Sequence, residues 1–376
     1  MGTRIDPRAL TRELLAFNTI NPPGMERACA RRLGQILEGT GFRVAYHEFA
    51  ESRTSLIAQI GGDDARAPIC FTGHIDTVPL GAARWTRDAF AGETDGDRLY
   101  GRGSTDMKSG IAAFVAAAVE LAPHLAGGPG LVLVITAGEE IGCEGAKYLA
   151  DKGLLGRAGA IVVAEPTGNY PYVGHKGLAW FEIETLGVTA HGSMPEVGDN
   201  AIVKMAGVIG DLGRFRFPVD EHAVMGKPTL NVGTIHGGLN TNSVPDQARI
   251  TLDTRTVPGI DHVHLCRSLE AMLAPRGARV RKIVDTALLY TEPANEWVQQ
   301  VFEACTPLLG SRPTPKTITF STDGADLKRG FGGAPAVILG PGEPALAHQT
   351  DEWCSIGRIE QSVDLFGDLM RRWCAV

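Results

Sequence analysis

Two short stretches constrain this chain more than any others. Leu131–Thr136 (LVLVIT) and residues 160–164 (AIVVA) are uninterrupted apolar runs. A strand with one wet face alternates apolar and polar side chains. A run without alternation is buried on both faces and implies a largely parallel sheet covered by helices on either side. The surrounding sequence supplies such helices: 6–17, 27–37, 110–121 and 145–151 carry apolar residues at helical spacing, and 55–60 and 68–71 read as further strands. Asp6-Pro7 suits a cap followed by a first-turn proline.

The pattern changes after His175-Lys176-Gly177. Residues 180–184 (WFEIE) alternate like a strand with one solvated face. A helix over 199–212 follows, then strands at 230–235 and 248–254, a helix over 261–273 and a strand at 279–284. The order strand, helix, strand, strand, helix, strand is that of a ferredoxin-like α+β domain. From about 289 the first character returns, with a helix at 296–308, a buried strand at 335–339 (PAVIL) and a closing helix at 359–373. The expected organisation is an α/β domain made of 1–176 and 289–376, interrupted by an α+β domain at 177–288. Two domains also suit 376 residues, which are many for a single core.

Composition narrows the function. The chain is 44% hydrophobic and 21% charged, with a net charge of −7 and no dense Lys/Arg run. That balance argues against nucleic acid as a partner, because phosphate binding needs a basic patch. No apolar run reaches membrane-spanning length, and no signal-like segment follows Met1, so the cytoplasm is the expected compartment. Seven cysteines without CxxC spacing indicate free thiols rather than a disulfide framework or a structural zinc knuckle.

The chemistry-bearing residues lie mainly just past predicted strands, where ligands bind in open α/β sheets. His74 and Asp76 share one face of an extended segment in Thr72-Gly73-His74-Ile75-Asp76. Asp106 lies in the glycine-rich loop GRGSTDMKSG, which opens a helix but lacks the glycine spacing of a phosphate-binding loop. Glu139 and Glu140 follow the most hydrophobic strand, where paired carboxylates are costly unless something positive neutralises them. Glu165 follows the strand at 160–164, and His348 lies in the loop after PAVIL. Each has a bland alternative: a structural histidine, an N-cap for Asp106, a solvated loop for the glutamates. Together they form an N/O donor set suited to zinc or another divalent metal.

These residues sit in an ordered series: GHIDTVP, GRGSTDMKSG, TAGEEIG, AEPT, HKG, AHGSMP, GGLNTNSVPD, LDTRTVPG and LGPG–AHQTDE. With this series, the chain resembles the M20 metallopeptidases, which include acetylornithine deacetylase, succinyl-diaminopimelate desuccinylase, aminoacylases and carboxypeptidases. The resemblance spans essentially the whole chain. It implies a metal-dependent aminopeptidase-like catalytic domain with an inserted lid that also makes a homodimer contact. It further implies two divalent metal ions, zinc in the first place with cobalt or manganese as alternatives. His74 and Glu165 would hold one, Glu140 and His348 the other, and Asp106 would bridge them, with the Asp106–Met107 peptide cis. Asp76 would brace His74, and Glu139 would be the general acid/base acting with a metal-activated water.

By the same resemblance, Arg255 would grip the substrate carboxylate with polar help from Asn242, Ser321 and Thr322. His191 would reach into the neighbouring subunit's site. The implied reaction is removal of an acyl group from a small N-acyl amino acid, of the N-acetylornithine type. A dipeptidase or carboxypeptidase of the same family remains open, as does a non-catalytic metal- or ligand-binding relative. A cysteine hydrolase has little support, because no cysteine lies in a glycine-rich turn near a histidine partner.

Overall fold

The computed structural model describes residues 4–62 and 66–376. They fall into two compact units, one running up to Gly174 and resuming at Leu289, the other His175–Leu288.

The first unit is built on a six-stranded sheet. Its order in space is Arg43–Ala50, Arg53–Ile60, Leu131–Thr136, Ile69–His74, Ala160–Val163 and Ala336–Ile338. The last four run parallel, and the first two are antiparallel additions at one edge. Every residue of Leu131–Thr136 and of Ile69–His74 is buried, as unalternating apolar runs require. The Ala-rich helix Ser109–Leu125 is buried around almost its whole circumference. Its small side chains let it lie close to the sheet: a Cβ at Gly110 would stand 2.3 Å from the Ala164 carbonyl oxygen. The closing helix Ile356–Cys374 packs beside it. Phe71 is held between Phe114 of one helix and Phe366 of the other, at ring separations of 6.1 and 5.3 Å. Burying such a ring stabilises the fold by about 1.5–3 kcal/mol.

The parallel strands place the chemistry-bearing residues along one edge. His74 ends its strand, Glu139 and Glu140 follow the strand ending at Thr136, and Glu165 follows the one ending at Val163. Arg43–Ala50 and the short helix Gly324–Gly330 have no counterpart in the sequence-based reading.

The second unit is a four-stranded antiparallel sheet of order Thr229–Gly237, Gln247–Thr256, Gly177–Leu186 and Arg279–Thr286. With the helices Ala201–Leu212 and His262–Leu273 it forms the βαββαβ arrangement of a ferredoxin-like domain. Asn200 and Asp261 cap the two helices through their side-chain oxygens. Phe181, Ile183, Ile250 and Leu252 from the sheet meet Met205, Val208, Leu265 and Leu269 from the helices. The opposite face carries ion pairs, Glu184 with Arg249 and Glu182 with Arg281. Among the described residues no helix is long and apolar enough to cross a membrane.

Candidate metal centre and active site

Two histidines and a row of carboxylates meet at the carboxyl edge of the sheet. Asp106 is central and presents one oxygen to each histidine: Oδ1 lies 3.1 Å from His74 Nε2, and Oδ2 lies 3.4 Å from His348 Nε2. His74 Nε2 also lies 3.8 Å from Glu165 Oε1, and His348 Nε2 lies 3.1 Å from Glu140 Oε2. The arrangement has two halves, His74 with Glu165 and His348 with Glu140, joined through the Asp106 carboxylate. His74, Asp106 and Glu140 alone bring ligand atoms within 4.8 Å of one another.

Local backbone conformation sets these positions. Asp106 lies in an irregular turn, Ser104–Lys108, that enters the helix Ser109–Leu125, and the Asp106–Met107 peptide is cis. Gly103 leads into the turn at φ +86°, and a Cβ there would stand 2.6 Å from Thr77 Cγ2. His348 has φ +64°, a left-handed conformation uncommon for a non-glycine residue. Its side chain is half-exposed, whereas those of His74, Glu165 and Glu140 are buried.

Asp76 supports the centre differently from a simple brace. Its Oδ1 is 3.6 Å from His74 Nδ1, beyond hydrogen-bond length, and the ring nitrogen instead meets the Asp76 backbone carbonyl at 3.0 Å. The carboxylate accepts the backbone N–H groups of Glu139, at 3.1 Å, and Glu140, at 3.2 Å. Asn21 Nδ2 donates to the same carboxylate at 2.8 Å. Asp76 therefore orients the tandem glutamates as a pair. The carbonyl on His74 Nδ1 fixes the tautomer that leaves Nε2 facing Asp106 and Glu165.

The electrostatics are those of an over-acidic pocket. Burial first, then the His74 interaction opposed by Asp106, Glu139 and Glu140, leaves Glu165 well above the usual carboxylate range. Burial raises Glu139 likewise, with Glu140, Asp323 and Asp76 adding to it. Burial and the neighbouring Asp106 raise Glu140. Hydrogen bonds to Asp106 and Glu140 push His348 up to about 10. Burial opposes the charged form of His74, yet Asp106 and Asp76 hold its proton affinity well above the ordinary value. Glu140 Oε1 remains buried without a hydrogen-bond partner. An N/O donor set with excess negative charge and an orphaned carboxylate oxygen fits divalent cations.

Beside the donors lies a cavity of about 180 Å³, lined by Asp106, Glu139, Glu140, Glu165, Phe320, Ser321, Ala347 and His348. Phe320 and Ala347 were not singled out in the sequence. Thr322, named there with Ser321, is fully buried, and its Oγ1 accepts the Gly324 N–H at 3.2 Å.

The sequence matches the peptidase family M20/M25/M40 over residues 70–372. The chain belongs to this family. As an M20 member it is a hydrolase of amide bonds. It is 32% identical over 370 residues to acetylornithine deacetylase from Myxococcus xanthus, an alignment covering 93% of this chain and 92% of the relative. It is 30% identical over 358 residues to a probable succinyl-diaminopimelate desuccinylase from Staphylococcus aureus, covering 84% and 86%. Its fold matches that of a dinuclear metal-binding M20 peptidase from Bacillus subtilis at a TM-score of 0.70, with 18% identity and coverage of 97% and 96%.

The remaining sequence-derived residues of this M20 chain belong to the second unit. Arg255 is engaged with Asp253, Nε to Oδ1 at 2.8 Å and Nη2 to Oδ2 at 3.1 Å. Asn242 and His191 lie in neighbouring exposed loops, with His191 bridged to Ser243. His191 Nδ1 accepts the Ser193 N–H at 3.2 Å and meets Ser193 Oγ at 2.7 Å. A neutral ring in that setting carries its proton on Nε2.

Proposed function

We propose that this M20 hydrolase is a two-metal amidohydrolase that removes a short acyl group from a small N-acyl amino acid. His74 and Glu165 would hold one ion and Glu140 and His348 the other, with Asp106 shared between them. Zinc is the first choice for this donor set. The observation that carries the reading is Asp106 presenting a separate carboxylate oxygen to each histidine. When bound there, such ions would supply polarisation of the scissile carbonyl and acidification of water. Glu139, outside both halves of the donor set, takes the proton of the attacking water on its carboxylate and returns it to the leaving amine nitrogen. Burial and the adjacent Glu140 raise its proton affinity, as a group that must both accept and donate requires. Asp76 holds its backbone in place.

Two features favour a short neutral acyl group over succinyl. The cavity is small, and its lining offers Phe320, Ala347 and the Ser321 hydroxyl beside carboxylates, with no Lys or Arg among them. A succinyl carboxylate would find no guanidinium or ammonium partner among these residues. Arg255 binds the substrate's α-carboxylate by exchanging Asp253 for it, since a guanidinium fork suits either partner. Asn242 and the cavity-lining Ser321 complete the polar surroundings, and Thr322, buried behind Ser321, shapes the turn that presents it.

The second unit serves as lid and dimerisation module. Its exposed apolar residues support this, including Ile235 on the edge strand, Leu239 just beyond it and Val203 on the adjacent helix. His191, with its proton on Nε2, donates to the developing oxyanion in the partner's site. The free thiols, mostly buried, suit the cytoplasm.

The test is a screen of the zinc-loaded enzyme against N-acetyl, N-formyl and N-succinyl amino acids and dipeptides. N-acetyl substrates should give the highest kcat/KM. A preference for dipeptides would replace this reading with that of a peptidase, and a preference for N-succinyl substrates would refute the pocket argument.

A further inference from the structure

Behind the metal-ligating residues, facing neither the cavity nor the proposed ions, lies a fully buried ion pair. Arg102 and Glu352 are each about 1% exposed, with Arg102 Nη1 2.6 Å from Glu352 Oε2. A buried pair is in itself a poor source of stability, since desolvating two charges offsets most of their attraction. Its partners point to another role.

The Glu352 carboxylate fills a ring of backbone N–H groups from the loop that carries Asp106. Oε2 accepts from Gly103 at 3.0 Å, and Oε1 accepts from Thr105 at 2.8 Å and from Asp106 itself at 3.0 Å. The Glu352 backbone carbonyl accepts the Gly101 N–H at 2.9 Å. Arg102 faces the other way: Nη2 donates to the Pro79 carbonyl at 3.2 Å and approaches the His348 carbonyl at 3.4 Å. The same segment is tied down again at Asp351, whose carboxylate takes the Thr86 N–H at 2.8 Å and hydroxyl at 2.9 Å. His348 and Asp351 both have left-handed backbones, at φ +64° and +57°. Such conformations persist where surrounding contacts over-determine them.

We propose that Arg102 and Glu352 are positioning residues for the metal centre, a clamp that holds the Asp106 loop and the His348 segment at fixed separation. Asp106 is then presented to both histidines at once. The proposal rests on the ligand assignment above. It explains why two charges are buried where neither touches substrate or metal: a carboxylate accepts three N–H groups and a guanidinium together, which no apolar pair of the same size does.

Glu352→Gln keeps the shape. It puts an amide NH₂ against either the Thr105 and Asp106 N–H groups or the Gly103 N–H and Arg102, so part of the ring faces a donor. Arg102→Lys keeps the charge and loses the fork. Zinc release from the purified holoenzyme to a chelating indicator should show both variants holding zinc about 10–100-fold more weakly than wild type, the size found for groups that orient metal ligands. Near-UV circular dichroism of the zinc-stripped proteins should match wild type. Leu369→Ala, a core truncation far along the closing helix, controls for general destabilisation and should lower the melting temperature without weakening zinc.

Wild-type zinc retention in both clamp variants would overturn the proposal, as would an equal weakening in Leu369→Ala. If Glu352→Gln does not fold, Arg102→Lys carries the same comparison. Asp106→Asn and His348→Ala test the underlying assignment separately. If they retain zinc at wild-type affinity, the ligand set is wrong. If they lose it while the clamp variants do not, the clamp alone is wrong.

Discussion

Replacing Asp76 by asparagine separates two accounts of what that residue does. If it braced the His74 imidazole through its side chain, the change would act across the 3.6 Å ion-pair contact from Oδ1 to Nδ1, while the 3.0 Å contact to the Asp76 backbone carbonyl survives substitution. In the structure its carboxylate instead accepts three donors: the Glu139 N–H, the Glu140 N–H and Asn21 Nδ2. Asparagine offers one acceptor oxygen. In its better orientation that oxygen keeps Asn21 and Glu140, and the NH₂ faces the Glu139 N–H. A buried donor left unsatisfied costs about 1–3 kcal/mol, and the surviving bonds lose their charge-assisted strength, so a total of about 2–4 kcal/mol follows. For a unit of this size, at roughly 2 °C per kcal/mol, the melting temperature should fall by about 4–8 °C. Because the tandem glutamates lose their anchor, kcat should fall about 10–100-fold. The assays are thermal melts by circular dichroism and steady-state hydrolysis. Asn21→Ala should show coupling to Asp76→Asn in a double-mutant cycle. A melting temperature within about 1 °C of wild type, with additive effects of the two substitutions, would refute the anchoring role.

Three further outcomes are expected. Glu139→Gln should lower kcat by about 10²–10⁴-fold while zinc content stays at the wild-type level, whereas Glu140→Gln should lose zinc; activity in the first would show the adjacent pair's roles to be misassigned. Mixing inactive His191→Ala with inactive Glu139→Gln chains should restore activity in exchanged dimers, and none from verified heterodimers would show that His191 does not act in trans. In the second unit, burial opposes the Asp285 charge, but hydrogen bonds to His262 and Lys282 hold its folded pKa down at about 2. A depressed folded pKa contributes stability that is present above the unfolded value near 4 and lost as pH falls toward 2. Asp285 is partly exposed, so after discounting for screening this contribution is about 1 kcal/mol; Asp285→Asn should remove it at pH 7, and wild type and variant should converge near pH 2 in urea titrations.

The parts of this protein legible in its sequence are those whose burial leaves a pattern. LVLVIT and AIVVA announce strands covered on both faces, and the carboxylates that follow them mark the sheet's ligand-binding edge. Arg43–Ala50 was not legible because it is a half-exposed edge strand whose Arg43, His47 and Glu48 break any apolar run. Gly324–Gly330 is too short, and bounded by glycines, to show helical spacing. At the centre, side chains that face one another from strand ends were readable as a donor set. The backbone contacts of the supports were not: Asp76 was in view as a brace for His74, but its carboxylate and that of Glu352 accept backbone N–H groups, whose donors carry no residue identity that a sequence displays. Arg255 shows the converse: its neighbour Asp253 was in view, but the ion pair they form was not read from the sequence.

The most direct test of the central claim is anomalous diffraction at the zinc edge from crystals of the metal-loaded enzyme. Two peaks are predicted, one between His74, Glu165 and Asp106 and the other between Asp106, Glu140 and His348, with the Glu139 carboxylate bound to neither. A peak coordinated by Glu139, or zinc located away from Asp106, would contradict the account.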